Sequence, residues 1–369
     1  MKAAAFAVQR PLDARLLVVD ADGRITHHRR DALPDLLAAG DLVVANDAAT
    51  LPASLAGRHL RSGATIEARL AGRASLAADD VVEWTAVVLG SGDHRTRTED
   101  RAAPPSMQPG DVVCLGPLTA TIVHVLASPR LVALRFEGDA DRIRAGIARH
   151  GRPVQYAHVD APMALWDVWT RVAALPAAFE PPSAGFVLDW CLLGRLAVRG
   201  IGFATLTHAA GLSSTGDAAL DGRLPFDEPY LLPATTVAAI LAARQRGSRV
   251  VALGTTVARA LEDAAARPGG LAAGPGLACH LLGRTTRLHI VDALVSGTHE
   301  PGTSHHELLR AFVAEPSLAC IDAALESGGY RTHEFGDSVL VERQRQPRSN
   351  LNTATLAIRF GQARTALPA

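Results

Sequence analysis

The sequence predicts an α/β protein: a large layered domain with a mostly parallel sheet, interrupted by a small antiparallel β-barrel. Three observations carry that prediction. After residue 150, short apolar strands alternate with helical segments, as in layered sheets with parallel strands. Between about 55 and 150 the texture changes to short, β-branched, partly alternating runs separated by Gly, Asp and Pro, as in small barrels or sandwiches. Two strand-like runs, 15–20 and 42–46, precede that stretch, so it reads as an insertion. The expected division is 1–54 plus 151–342 as the large α/β domain, 55–150 as the inserted barrel, and 343–369 as an arginine-containing tail.

The elements follow in order. "RLLVVD" and "LVVAN" are strands, and "DALPDLLAAGD" between them is a brief helix closed by Gly40. "ATIEARLAG", "DVVEWTAVVLG", "GDVVCLG", "LTATIVHVLA" and "RLVALRFEG" are the barrel strands. "DAPMALWDVWTRVAALP" is expected to be a helix, with Asp160 at its N-cap, Pro162 in its first turn, and Trp166 and Trp169 packed into the core rather than stacking bases. "GIGFATLTH" is a strand and "ATTVAAILAARQRG" a helix ended by Gly247. "RVVALG" feeds the helix "TTVARALEDAAA", and "RLHIVDALV" is a strand. "SHHELLRAFVAE" and "SLACIDAALESG" are helices, and "DSVLVE" closes the sheet.

Composition narrows the function. Hydrophobic residues make up 48% and charged residues 20% of 369, a globular profile. Acids and bases balance at 37 each, so nucleic-acid contact must come from a local patch. Lys2 is the only lysine, which excludes a Walker-type phosphate lysine and a Schiff-base lysine for pyridoxal chemistry. Cys114, Cys191, Cys279 and Cys320 are far apart and suggest neither a zinc knuckle nor a disulfide framework. The N-terminus lacks a long apolar core and no run of 18 apolar residues follows, so a cytoplasmic protein without a membrane span is expected. The tail's five arginines either touch RNA or belong to a loosely ordered terminus.

Polar groups concentrate where strands hand over to helices, the rim at which α/β sheets bind ligands. In "VDALVSGTHEPGTSHHELLRAF", Ser304 and Glu307 fit a capping box and the first turn favours an anion, with His299 at the lip and Asp292 within the strand. The alternative is plain capping with surface histidines. Three histidines, His299, His305 and His306, prompt a metal reading, but no HExxH occurs and no metal is expected. In "ALGTTVARALE", Thr255 and Thr256 open a helix and Arg259 lies one turn on, as caps or as an anion clamp. In "FEPPSAGF", Ser183 and Gly185 leave room for a flat ligand or make a tight turn. In "TLTHAAGLSSTGD", His208 is a candidate base or a structural histidine.

In this order the segments "DARLLVVD", "GDLVVANDAATLPASLAGR", "PPSAGF", "LGTTVARALE", "VDALVSGTHEPGTSHHELLRAF" and "GYRTHEFGDSVLV" resemble the S-adenosylmethionine:tRNA ribosyltransferase-isomerase family of queuosine biosynthesis, from about residue 13 to 342. The resemblance implies a large α/β domain interrupted by a small β-barrel. It also implies an enzyme that moves the ribosyl part of S-adenosylmethionine, its donor substrate, onto the aminomethyl group of a 7-deazaguanine in a tRNA anticodon loop, acting as a monomer. It makes His299 the first candidate base and His208 the second. Asp292 is left to orient a histidine or bind ribose hydroxyls, and Thr255, Thr256 and Arg259 to hold the methionine carboxylate. Asn46 and Asp47 would read a nucleoside edge, with Gly185, beside Ser183, admitting the flat base. The chain departs from the family pattern at Ala48 and Ala49 (Thr-Arg), Ser54 (Arg), Val187, Leu188 and Asp189 (His-Phe-Thr), and Gly297 and Thr298 (Asn-Phe). Two alternatives therefore stand: a paralogue using the same donor on another amine or small molecule, and a non-catalytic binding protein on the same scaffold.

Overall fold

The computed structural model describes residues 1–344; most of the arginine-bearing tail, 345–369, lies outside them. A nine-stranded mixed sheet dominates. Across it the strands run Gly274–Ala278, Glu228–Leu232, Gly202–His208, Leu42–Asn46, Val250–Leu253, Ala293–Gly297, Ser338–Glu342, Arg15–Val19, Ile25–Arg29. From Gly202–His208 through Ala293–Gly297 the pairings are parallel. Toward both edges they are antiparallel, apart from the parallel pair Ser338–Glu342 with Arg15–Val19. Every residue of Leu42–Asn46 and Val250–Leu253 is buried, which is why these central strands read as unbroken apolar runs.

Alternate side chains supply two cores. Val44, Ala252 and Leu294 face the helices Ala234–Gln245 and Thr255–Ala266, while Val43, Leu253 and Val295 face the helix Trp190–Val198. A separate closed barrel of six antiparallel strands follows the order Leu118–Val125, Leu131–Phe136, Glu83–Leu89, Thr65–Gly72, Ser54–His59, Val112–Leu115. Closure pairs every edge, so these short strands need no partner sheet. The helix Ala140–His150 leads out of the barrel, its N-terminus capped by Asp139, which accepts from the Arg142 N–H at 2.8 Å.

Several elements depart from the sequence reading. The expected helix over 160–176 shrinks to Leu165–Val168. Gln9 Nε2 takes the Asp167 and Trp169 carbonyls at 2.9 and 2.8 Å, and Trp169 Nε1 donates to the Thr50 carbonyl at 2.9 Å. The chain then runs into the strand Leu175–Ala178, paired in parallel with Ala48–Thr50. Long-range partners thus replace the helical ladder. Trp166 and Trp169 are exposed at 77% and 41%, so neither packs into the core as expected. The helix expected over 304–315 is one turn, Ser304–Leu308, tightening to a 3-10 turn at Leu309–Ala311. Its cap is Thr303 rather than Ser304, the Thr303 hydroxyl accepting from the His306 N–H at 3.3 Å. Asp292 stands before the strand Ala293–Gly297, not within it. Sequence reading also missed the helix Trp190–Val198, the edge strands Glu228–Leu232 and Gly274–Ala278, and the sixth barrel strand, Ser54–His59.

Candidate active site

Parallel strands end together. Leu206 pairs with Asn46, and Leu253 with both Ala45 and Val295. The loops after His208, Leu253 and Gly297 therefore leave from one rim, where the carboxyl ends of the strands open a crevice. A cleft of about 260 Å³ lies there. Pro182, Ser183, Ala184 and Glu180 form one wall; Gly211, Leu212 and Ser213 form another. Gly254, Thr255, Thr256, Ser296, Gly297, His299, Ser304 and His305 complete it. Its volume is just under the ~300–1,000 Å³ usual for small-molecule pockets.

The helix Thr255–Ala266 points its N-terminus at this cleft. Gly254 at its cap has φ of 110°, a left-handed backbone that disfavours any side chain, and its N–H donates to the Val295 carbonyl at 2.8 Å. Among the described residues no side chain caps the helix, so its first-turn N–H groups are left for a ligand, with the positive end of the dipole behind them. Thr255 and Thr256 both line the cleft, and the Thr256 hydroxyl also accepts from Asn46 Nδ2 at 3.4 Å.

His299 lines the cleft as expected. Its half-buried imidazole stacks on His305 at 4.4 Å between ring centres. Burial, then the nearby His305, His333 and His306, hold it well below the usual histidine range, so it is neutral at physiological pH. Ser183 also lines the cleft.

Four expected contacts resolve differently. Arg259 touches the cleft, but its guanidinium is committed to the protein: it pairs with buried Glu228 and donates to the carbonyls of His280 at 3.0 Å, Phe226 at 2.8 Å and Ala278 at 2.7 Å. That leaves it as a wall, not an anion clamp. His208 is fully buried off the cleft, 3.5 Å from Glu228, with its ring parallel to Tyr230. Burial and the Arg259 charge depress it to about 3, so it is a neutral core residue. Asp292 sits at the opposite rim, accepting from the Val250 N–H at 3.0 Å and Arg343 at 3.2 Å. The strand between it and His299 spans about 16 Å, so it cannot orient that histidine. Gly185 is outside the cleft; a Cβ there would meet Thr170 Cγ2 at 2.9 Å, so its small size serves packing rather than a flat ligand.

Asn46 and Asp47 also lie off the cleft lining and act as braces. The Asn46 amide donates to the His208 carbonyl at 2.9 Å and accepts from the Ala48 and His208 N–H groups at 3.0 Å each. Asp47 accepts from the Thr207 hydroxyl at 2.6 Å. Together they fix the rim on which Thr256 is presented.

Glu180 is the residue sequence reading missed. It is buried in the cleft wall and has no basic partner among the described residues. Its Oε1 accepts from the Tyr156 hydroxyl, from the Ser213 N–H at 2.8 Å and from the Ser213 hydroxyl at 3.3 Å. Its Oε2 accepts none of the hydrogen bonds made among the described residues, so a proton on this carboxyl belongs there. Burial, then the Glu334 charge, raise it to about 7. The signal was an acid inside "FEPPSAGF", which reads as a solvated loop residue until Tyr156 and Ser213 are brought over it from distant segments.

The family model described as "Queuosine biosynthesis protein" matches residues 2–341. The S-adenosylmethionine:tRNA ribosyltransferase-isomerase of Acidiphilium cryptum is 32% identical over 343 residues, covering 89% of this chain and 92% of that relative. The enzyme of the same name from Gloeobacter violaceus is 34% identical over 339 residues, covering 89% of each. A solved S-adenosylmethionine tRNA ribosyltransferase from Thermotoga maritima aligns with 92% of this chain and 95% of its own at 23% identity and a TM-score of 0.48. Among the described residues no helix is long and apolar enough to cross a membrane. With a family match that spans both the barrel and the nine-stranded sheet, the chain belongs to the queuosine biosynthesis protein family.

Proposed function

We propose that this chain transfers and isomerises the ribosyl moiety of S-adenosylmethionine onto the aminomethyl group of 7-aminomethyl-7-deazaguanine in a tRNA anticodon loop, giving epoxyqueuosine and releasing adenine and methionine. In this reading 1–54 with 151–342 carry the chemistry, 55–150 is an inserted unit, and the protein works as a monomer in the cytoplasm. The observation that carries the reading is the meeting of His299, Thr255, Thr256, Ser183 and Glu180 around one cleft in a member of this family.

The chemistry needs a base, an acid and an anion holder. The sulfonium charge of the donor acidifies the adjacent ribose 5′ hydrogens, and neutral His299 is the group on this cleft suited to remove one. Adenine leaves more readily when protonated, and Glu180, a carboxylic acid poised near neutrality, supplies that proton from Oε2. The first turn at Thr255 and Thr256 receives the methionine carboxylate. Incubating the protein with S-adenosylmethionine and a precursor-bearing anticodon stem-loop is expected to release adenine; none from folded protein counts against the reading.

Glu180 gives this reading a pH signature. Its folded pKa of about 7 lies above the ordinary 4.5, so the folded state binds this proton more tightly than the unfolded state. Its penalty on stability is absent below the unfolded value, grows as pH rises, and reaches roughly 3 kcal/mol above pH 7. Glu180→Gln is expected to remove that slope in denaturant titrations run from pH 4 to 8. As the acid, Glu180 is also expected to make adenine release fall as pH rises through about 7, and the Gln variant should be slow and flat across that window.

One observation favours a second reading. Ala48 and Ala49, which replace the family's Thr-Arg, are buried, and Ala48 packs with Ala177, Ala178 and Ala210. A polar, charged stretch has become apolar, and in that reading the acceptor is a non-tRNA amine or small molecule. Adenine release without tRNA would support it, and strict tRNA dependence would remove it. A purely binding scaffold predicts donor binding without any turnover.

A further inference from the structure

Behind the Glu180 wall lies a second cluster, of which only the Glu334 charge bears on the proposed chemistry, by raising Glu180 in the metal-free protein. His158, His333 and Glu334 each offer a ligand atom, and these atoms all fall within 4.8 Å of one another. His158 Nε2 is 2.9 Å from Glu334 Oε2, and the two imidazoles stack at 4.3 Å between ring centres with 18° between planes. All three are half-buried. His158 lies in the segment that leaves the barrel helix Ala140–His150; His333 and Glu334 lie in the turn before the last sheet strand, Ser338–Glu342. His333 holds φ of 67°, the left-handed region that glycine favours, and it is the one non-glycine residue with positive φ among the described residues. A non-glycine residue kept at a left-handed turn, beside a second imidazole and a carboxylate, is the pattern of a functional constraint. The histidines that suggested a metal in the sequence, His299, His305 and His306, are not the ones gathered with a carboxylate here.

The geometry points to a divalent transition-metal site at His158, His333 and Glu334 that staples the barrel's exit segment to the closing turn of the sheet. Two imidazole nitrogens and one carboxylate oxygen suit Zn²⁺, Co²⁺ or Ni²⁺; they do not suit Mg²⁺ or Ca²⁺, which take oxygen, or Cu⁺, which takes sulfur. With three protein ligands and partial exposure, the fourth position is filled by water. Coordination requires both ring lone pairs to meet at one point, so binding tilts the two imidazoles out of their stack. Pro181 and Glu180 separate this cluster from the catalytic cleft and border both spaces, so the metal sits one side chain behind the acid.

The test titrates Co²⁺ into the metal-stripped full chain and follows its visible d–d absorption, then displaces it with Zn²⁺. One equivalent is expected to bind with the intense bands of low coordination number, and the melting temperature is expected to rise with added metal. His333→Asn keeps a residue that tolerates the left-handed turn, Glu334→Gln keeps a hydrogen-bond partner for His158, and His158→Phe keeps a ring on the stack. Each is expected to melt near wild type without metal and to weaken Co²⁺ binding by more than about 100-fold, since even loss of an outer partner costs 10- to 100-fold. No Co²⁺ spectrum in the wild type overturns the proposal. So does a spectrum that survives these substitutions, or one that vanishes instead in His305→Ala.

Discussion

His299→Ala is expected to lower adenine release by about 100- to 10,000-fold, the usual contribution of a positioned general base, while leaving donor binding near wild type. The reason lies in where the side chain sits. Its neighbours in the cleft, Thr255 and Thr256, would still offer the helix terminus to the methionine carboxylate, so affinity survives. What is lost is a neutral imidazole, kept neutral by burial and by three other histidines. A drop in kcat with unchanged KM under slow chemistry is the signature of an interaction made in the transition state. The measurement is single-turnover adenine release beside calorimetric donor binding. Equal loss of both would show His299 to be a wall of the pocket, and unchanged turnover would remove it from the chemistry.

Arg259→Met is expected to cost about 3–5 kcal/mol of stability, because it leaves a buried carboxylate without its cation. Glu228 is 5% exposed, and burial already pushes its carboxyl above the ordinary range against the pull of Arg259. The same guanidinium also holds the carbonyls of Phe226, Ala278 and His280, which tie the edge strands to the helix Thr255–Ala266. Arg259→Lys is expected to recover little, since one ammonium cannot reproduce a planar fork spread over four acceptors. Removing Arg259 raises Glu228 further in the folded state. The deficit is therefore largest at neutral and higher pH and shrinks as pH falls and Glu228 takes a proton. Denaturant unfolding of the wild type, the single variant and Arg259→Met with Glu228→Leu checks this. The double variant should regain much of the loss, because an apolar pair leaves no orphaned charge. A single variant as stable as the wild type would show that the pair carries no weight.

The two variants separate chemistry from scaffold. Both residues border the same cleft, yet among the described residues the His299 ring makes no hydrogen bond, while the Arg259 guanidinium makes four, to Glu228 and three backbone carbonyls. In the sequence they looked alike, as polar residues one turn or one loop beyond a strand. A helix position tells which way a side chain points, but not what a remote segment has placed there. Glu228 and the Ala278 carbonyl come from strands that the sequence pattern did not announce, with Phe226 and His280 just beyond their ends, since "DEPYLLP" and "GPGLA" are short and rich in proline and glycine.

What the sequence by itself determined is the framework and the rim. Apolar runs such as "LVVAN" and "RVVALG" are buried on both faces and were legible because burial demands an unbroken apolar stretch. The glycine in "LGTT" and the hydroxyls after it marked the helix start that faces the cleft, because only a backbone free to turn left-handed fits there. His299 was legible because it follows a parallel strand at its carboxyl end. What only the tertiary structure decided is which polar groups stay available. His208 was walled into the core, Arg259 was claimed by buried Glu228, Asp292 fell at the far end of its strand, and the 160–176 helix gave way to bonds with Gln9 and Thr50. Glu180 became an acid near neutrality only when Tyr156, Ser213 and Glu334 closed around it. Local pattern fixes backbone and direction, whereas desolvation and pairing depend on atoms far apart in the chain, and those terms set the charge and reactivity of a side chain.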